Sequence, residues 1–283
     1  MSILYICATP IGNLKDASFR LIEVLKTADF IIAEDTRTAA KLLSRFEIKK
    51  SPGSMVSYQD YTSPAKTEAI LERIKHAQTS ALISESGVPA IQDPGYKIIK
   101  NCIENNIILK AIPGPNAALS ALVLSGLPTS SFLFAGFLPK TDAKRKEKIF
   151  ELAYLPYTLI FYESPLRIKN LLQELLKLLG DRNACLAREI TKIYEEAIRG
   201  KITEILKIIE ARSSVKGEIV LVVEGYKKQL IKDFEDAEIK KEYIKLVKQN
   251  IMQKEIFKII QSRYDIDRQK LYNITKIPTK QDE

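Results

Sequence analysis

Between Ser84 and Gly95 the chain reads Ser84-Glu85-Ser86-Gly87-Val88-Pro89-Ala90-Ile91-Gln92-Asp93-Pro94-Gly95, directly after the apolar run Ala81-Leu82-Ile83. A strand that breaks into a loop rich in glycine and proline and restarts as a helix sets backbone donors and acceptors at the carboxyl edge of a sheet. Open α/β folds bind ligands there. The same logic returns where Ile107-Ile108-Leu109-Lys110-Ala111-Ile112 gives way to Pro113-Gly114-Pro115-Asn116 and the small-residue helix Ala117-Ala118-Leu119-Ser120-Ala121. Two such loops on neighbouring strands would enclose one small molecule.

Charged residues gather at other strand ends. Glu34-Asp35-Thr36-Arg37 closes the run Phe30 to Ala33 with two carboxylates and a guanidinium, which reads either as a substrate site or as a capped helix start with a local ion pair. Phe161-Tyr162-Glu163-Ser164-Pro165-Leu166-Arg167, Ala187-Arg188-Glu189-Ile190-Thr191-Lys192 and Lys216-Gly217-Glu218 repeat the pattern. Each alone reads as a strand end with a cap or an ion pair, whereas together they suit a cleft wall facing a polar substrate.

Several chemistries are disfavoured. The opening Ala8-Thr9-Pro10-Ile11-Gly12-Asn13-Leu14 has neither the spacing of a phosphate-binding P-loop nor that of a dinucleotide fingerprint. His76 is the single histidine and sits at the apparent end of a helix, where a cation complements the helix dipole, so Ser/His/Asp and Cys/His mechanisms lose their base. Cys7, Cys102 and Cys185 are far apart and odd in number, so they form neither a disulfide framework nor a metal site, and each is expected to be buried and reduced. No metal-ligand spacing occurs. Group transfer from a reactive donor remains, because it needs no acid/base triad.

The 283 residues suffice for two domains, and a net charge of +9 favours a polyanionic partner unless it serves only solubility. The chain enters a strand pattern at once, and no apolar run approaches the ~20 residues of a membrane span. The expectation is a soluble, cytoplasmic protein.

Strand-like and helix-like runs alternate: Ile3 to Ala8, Phe19 to Ala28, Phe30 to Ala33, Thr38 to Phe46, Met55 to Tyr58, Ala65 to Ala77, Thr79 to Ile83 and Ile107 to Ile112. This is the signature of a mainly parallel sheet flanked by helices. Ser63-Pro64 and Ser164-Pro165 each predict an N-cap followed by proline at the first helical position. A change of character near Gly126-Leu127-Pro128 marks a boundary, with Lys140 to Lys148 a basic, apolar-poor stretch beyond it. The second half carries Phe132 to Phe137, Tyr157 to Tyr162, the helix Leu166 to Leu179, Ala184 to Arg188, Thr203 to Ile209 and Glu218 to Val223. The expected fold is α/β: an N-terminal domain over 1–126, a C-terminal domain over 127–226 with a ligand cleft between them, and a helical, basic tail over 227–283. That tail holds 14 Lys/Arg against 10 Asp/Glu, a net +4.

In order, Tyr5 to Leu14, Ala33 to Arg37, Ser84 to Gly95, Pro113 to Ala117, Phe134 to Pro139, Leu159 to Ser164, Ala187 to Glu189 and Lys216 to Val220 closely resemble the bacterial 16S ribosomal RNA cytidine 2′-O-methyltransferases of the tetrapyrrole methylase superfamily. The resemblance implies S-adenosylmethionine bound between two α/β domains, a homodimer, and methylation of a ribose hydroxyl in the decoding region of small-subunit RNA. It maps the cofactor pocket onto Pro10, Ser84, Glu85, Gly87, Val88, Ala90, Ile91, Gly114, Asn116, Ala117, Ala118, Tyr162 and Ala187, with no metal. Where the family has Ser-Asp-Ala-Gly-Thr-Pro this chain has Ser84-Glu85-Ser86-Gly87-Val88-Pro89, a carboxylate one methylene longer and a hydroxyl lost. Where the family carries histidines after its third strand this chain has Ser57-Tyr58-Gln59-Asp60-Tyr61, which offers Tyr58 and Tyr61 for stacking on an unpaired base.

A ribose hydroxyl is a poor nucleophile, so some group should take its proton or stabilise the forming alkoxide. Asp35, Glu163 and Glu189 are candidate acceptors, with Arg37, Arg167 and Arg188 as stabilisers, unranked. Two rival readings remain: methylation of a porphyrin-type carbon, and a non-catalytic RNA-binding factor of ribosome assembly.

Overall fold

A computed structural model of the protein describes residues 2–227, 233–247 and 253–275. It divides into two units, Met1–Gly225 and Tyr226–Glu283.

The first unit holds two five-stranded sheets. In the first, β1 (Ile3–Cys7), β2 (Phe30–Ala33), β3 (Met55–Ser57), β4 (Thr79–Ile83) and β5 (Ile108–Ile112) are all parallel, in the order β3-β2-β4-β1-β5. Helices cover both faces of the inner strands, so β2 and the Ala81-Leu82-Ile83 end of β4 read as continuous apolar runs and successive residues serve opposite cores. On β2, Ile31 and Ala33 face the cluster that includes Leu21 and Leu25 of α1 (Phe19–Thr27) and Leu43 of α2 (Thr36–Arg45). Phe30 and Ile32 face Ile70 and Ile74 of α3 (Pro64–His76) and Ile98 of α4 (Tyr96–Glu104). Ser63 caps α3 with proline in its first turn, and His76 ends the helix with its side chain in solvent. All three cysteines are free and buried.

The next helix, α5 (Ala117–Ser125), stops at Gly126, which takes a left-handed conformation (φ 71°). Although it follows the first sheet in sequence, its Ala118, Ala121 and Leu122 pack on Ile160, Cys185, Val220 and Val222 of the second sheet. That sheet comprises β6 (Phe132–Phe137), β7 (Thr158–Glu163), β8 (Asn183–Arg188), β9 (Glu196–Lys201) and β10 (Ile219–Val223), in the order β6-β7-β10-β8-β9. Only β6 and β7 are parallel; β7-β10, β10-β8 and β8-β9 pair antiparallel. Its other face is covered by α6 (Asp142–Leu152), α7 (Ile168–Leu179) and α8 (Ile202–Glu210), through residues such as Ile149, Leu172 and Ile205.

Two elements are added to the sequence reading and two expectations change. The stretch Lys140 to Lys148 falls largely within α6, whose Arg145 is buried against Glu174 (2.6 Å) and Asp142 (2.8 Å); an internal ion cluster replaces the apolar stripe that would have announced the helix. Strand β9 is not announced by the sequence, because an edge strand carrying Glu196, Arg199 and Lys201 lacks alternating apolar residues. Ser164-Pro165 opens a turn rather than the helix: Arg167 and Ile168 both donate to the Ser164 carbonyl, and α7 begins at Ile168. Tyr58 is only 2% exposed, within the core beside Ile70 and Ile74, and so is unavailable for stacking, whereas Tyr61 is exposed.

The second unit contains α9 (Asp236–Val247), α10 (Gln253–Arg263) and α11 (Arg268–Thr275). Ile239, Leu246, Ile256, Phe257, Ile260 and Leu271 form its own core, with Tyr243 and Ile259 packed against it. Val247 is exposed and Ile251 lies outside the described residues. Among the described residues, no helix is long and apolar enough to cross a membrane.

Candidate functional site

The parallel strands deliver three loops to one edge. Thr9, just past β1, exchanges backbone hydrogen bonds with Gly87 of the β4 loop (2.8 and 3.1 Å), and the buried Ser84 hydroxyl donates to the Gly87 carbonyl at 3.1 Å. These contacts hold the loop in a conformation that costs energy. Ala90 and Gln92 lie in the left-handed region (φ 68° and 66°), alongside Gly87 (φ 81°). Non-glycine residues there cost about 1–3 kcal/mol each and persist where the surroundings fix them, often at ligand sites. The β5 loop ends at Asn116, whose side chain accepts from Leu119 N (2.9 Å) to cap α5.

Against these loops lie Phe137 and Tyr162 of the second sheet, in an edge-to-face pair with centroids 5.5 Å apart, and the chain around Ile190 and Glu218. The cavity so enclosed has a volume of about 370 Å³, within the range of small-molecule sites. Ile11, Val88, Ile91, Ile190 and Val220 give it apolar walls, and Asp93, Glu163 and Glu218 give it carboxylates. Apolar and aromatic walls with carboxylates among them suit an organic cation that carries a flat heterocycle.

Of the residues expected to bind cofactor, Gly87, Val88, Ile91, Asn116, Ala117 and Tyr162 line this cavity. Pro10 and Glu85 line a neighbouring groove of about 360 Å³ instead. Ser84, Ala90, Gly114, Ala118 and Ala187 line neither. Ala118 and Ala187 belong to the apolar cluster that joins α5 to the second sheet. Gly114 permits a close approach of two strand ends: a β-carbon there would stand 3.1 Å from Ala8 Cβ and 3.3 Å from its carbonyl oxygen.

Among the candidate catalytic groups only Glu163 reaches the cavity. Its carboxylate is buried and engaged, accepting from Ser164 N (2.6 Å) and from Arg167 (2.7 Å). Asp35 caps α2 by accepting from Arg37 N (2.7 Å) and pairs with the Arg37 guanidinium (2.5 Å), which holds its carboxyl down to about 2. Arg188 pairs with Glu196 (2.6 Å) and donates to the Lys216 carbonyl (3.1 Å). Glu189 (φ 52°) accepts from Glu218 N (3.0 Å) and from Lys192 (2.9 Å), both of which lower its pKa. A β-carbon at Gly217 would collide with Glu189, so the glycine admits this carboxylate. Asp35 and Glu189 are therefore held by their own local partners.

Residues that the sequence did not single out also line the cavity, Gln92 and Asp93 above all. Burial first, and then the Glu34 carboxylate, push Asp93 up to about 6, offset in part by the Ser84 hydroxyl. Glu34 is itself raised, by burial and then by Glu85. The available signal was Asp-Pro-Gly at the end of a strand-following loop, which also describes any solvated turn.

The groove shares Ile11, Ser86 and Glu218 with the cavity and is flanked by Lys41 and Arg45 of α2 and by Lys192. Gly12 lets the Lys192 stem lie across the β1 loop, since a β-carbon there would stand 2.6 Å from Lys192 Cγ. The cavity thus opens beside a basic entrance.

Residues 3–206 match the family model described as Tetrapyrrole (Corrin/Porphyrin) Methylases. Over 222 residues, 78% of this chain and 75% of the relative, the sequence is 45% identical to Ribosomal RNA small subunit methyltransferase I of Halalkalibacterium halodurans. It is 37% identical to the protein of the same name from Streptococcus pyogenes, over 95% of this chain and 93% of that one. Among solved structures, diphthine synthase superposes with a TM-score of 0.59 at 14% identity, covering 96% of this chain and 99% of that chain. Uroporphyrin-III-C-methyltransferase from Thermus thermophilus gives 0.53 at 17% identity, covering 78% and 94%. At such identities these two likenesses concern the fold alone.

Proposed function

The chain belongs to the tetrapyrrole methylase family, and from that premise we propose that it methylates small-subunit ribosomal RNA, with S-adenosylmethionine as donor and the 2′-hydroxyl of a cytidine ribose in the decoding region as acceptor. The identity of 37–45% to proteins named as small-subunit ribosomal RNA methyltransferases supports the reaction and its RNA, while the ribose hydroxyl and the decoding region rest on the resemblance of the eight sequence blocks.

The cavity fits the donor. Ile11, Val88, Ile190 and Val220 offer apolar surface for the adenosine, Asp93 offers negative charge for the sulfonium and Glu218 for the amino group, and the positive end of α5 at Asn116 and Ala117 suits its carboxylate. The donor supplies an electrophilic methyl group. The protein's part is to align the two reactants and to exclude water, which the largely apolar cavity favours. The acceptor strand approaches along the groove, where the exposed Lys41 and Arg45 present charge to its phosphates. On this reading the protein works in the cytoplasm as a homodimer; light scattering of the purified protein tests the dimer and cell fractionation the location.

Mass spectrometry of nuclease-digested ribosomal RNA, from cells with and without the gene, tests the reaction. One ribose-methylated cytidine should vanish on deletion. A lost methyl on a base, with every ribose methyl retained, refutes the 2′-hydroxyl assignment.

A further inference from the structure

Three carboxylates line the donor cavity, and their surroundings differ. Glu163 is engaged by Arg167 and Ser164 N, so its charge is already matched. Glu218 is 74% exposed in its side chain and pairs with Lys192 at 3.2 Å. Asp93 has no ion pair among the described residues. The groups that face it are Glu34 at the end of β2, Glu85 and Ser84 in the β4 loop, and Tyr162 on β7. All are acidic or neutral, so a proton arriving at Asp93 relieves repulsion instead of breaking a salt bridge.

We infer that Asp93 is a catalytic residue, the proton acceptor for the attacking hydroxyl. The inference rests on the methyl-transfer reading above. The hydroxyl oxygen forms a bond to the donor's methyl carbon as the carbon–sulfur bond breaks. Its electron pair stays on sulfur, and the hydroxyl proton passes to the Asp93 carboxylate, which later releases it to solvent. A base titrating near 6 suits this step, being mostly ionised at neutral pH yet more basic than an ordinary carboxylate. The strained loop that carries Asp93, with Ala90 and Gln92 in the left-handed region, holds it at the cavity wall.

The test compares the parent with Asp93→Asn. Small ribosomal subunits from a gene-deletion strain are the acceptor, assayed at saturating donor from pH 5 to 8. The parent's kcat should climb to a plateau through an apparent pKa at or below about 6, since the donor's positive charge favours the ionised carboxylate, whereas the variant should lose at least roughly 100-fold and the climb with it. S-adenosylhomocysteine, which lacks the sulfonium charge, should bind both proteins within about threefold by calorimetry, reporting an intact pocket. A third readout needs neither ligand. Because Asp93 is raised in the folded state, its ionisation opposes folding as pH rises from its ordinary value through about 6. Asp93→Asn should therefore melt with the parent near pH 4 and above it at pH 8. A variant that keeps kcat within threefold of the parent, or keeps its pH climb, overturns the assignment. So does a weaker affinity for the donor with kcat unchanged, which would make Asp93 a binding group only. A parent that binds donor but leaves the RNA unmethylated overturns the functional reading, and this inference with it.

Discussion

The Gln92 side chain occupies the space that Gly136 leaves open, and Phe137 N donates to Gln92 Oε1 at 3.4 Å. Gly136 sits at the irregularity where β6 shifts register against β7, with φ 64°, so the β4 loop of the first sheet is docked on a bulge of the second. One wall of the cavity thus depends on a glycine 44 positions further along the chain from Gln92.

Gly136→Ala should therefore weaken donor binding. The left-handed conformation alone costs a non-glycine residue about 1–2 kcal/mol, and the new β-carbon displaces Gln92. Calorimetry with S-adenosylmethionine checks the affinity. In a Gln92→Ala background the loss should shrink, because the clash is gone while the backbone cost remains. A double-mutant cycle giving no coupling between the two sites would show that the contact does not shape the cavity.

Arg145 offers a stability test away from the site. Its guanidinium is buried and makes a bidentate pair with Glu174 (2.6 and 2.7 Å) plus bonds to Asp142 and the Lys140 carbonyl. Arg145→Ala strands a largely buried carboxylate and should cost about 3–5 kcal/mol in denaturant unfolding. Replacing both partners, Arg145→Leu with Glu174→Leu, should recover most of that loss. A single variant as stable as the parent would show the pair to be dispensable.

The basic entrance predicts a separable effect on the acceptor. Lys41 and Arg45 belong to α2 and lie exposed on the groove, outside the cavity. Changing both to Glu should raise the apparent KM for ribosomal subunits, lower the salt slope of RNA binding by roughly one unit for each lost phosphate contact, and leave donor affinity within about twofold. An unchanged KM and slope would place the RNA elsewhere.

These contrasts show what the sequence displays and what it conceals. Phe30-Ala33 and Ile219-Val223 are legible because both faces of each sheet are covered, which forces uninterrupted apolar runs. The loop after Ile83 is legible because its glycines and prolines follow such a run. Strand β9 and helix α6 are concealed because charged residues perform structural work there, Glu196 with Arg188 and Arg212, Arg145 with Glu174. At the site the same ambiguity governs carboxylates. Asp35 and Glu189 stand at strand ends but are held by Arg37 and Lys192 close by in sequence, whereas Asp93 acquires its character from burial first and then from Glu34, far from it along the chain. Spacing along one strand end does not encode that meeting.

The last prediction concerns the unit from Tyr226 to Glu283. Its apolar residues, Ile239, Leu246, Ile256, Phe257 and Ile260, meet one another in a core of its own, so the periodicity of the tail records an independent helical packing. Lys240, Lys241 and Lys245 remain exposed on α9, with Lys241 and Lys245 one turn apart on the same face. Such a face suits phosphate contact. Ending the chain after Gly225 should leave the first unit's melting temperature and donor affinity nearly unchanged, while RNA affinity falls and its salt dependence flattens. Lys241→Glu with Lys245→Glu in the full-length protein should reproduce a part of that flattening, roughly one unit of slope per contact, without touching the core. If truncation lowers the melting temperature and donor binding together and the two lysine changes leave the salt slope as it was, the tail serves the fold of the enzyme and not its grip on RNA.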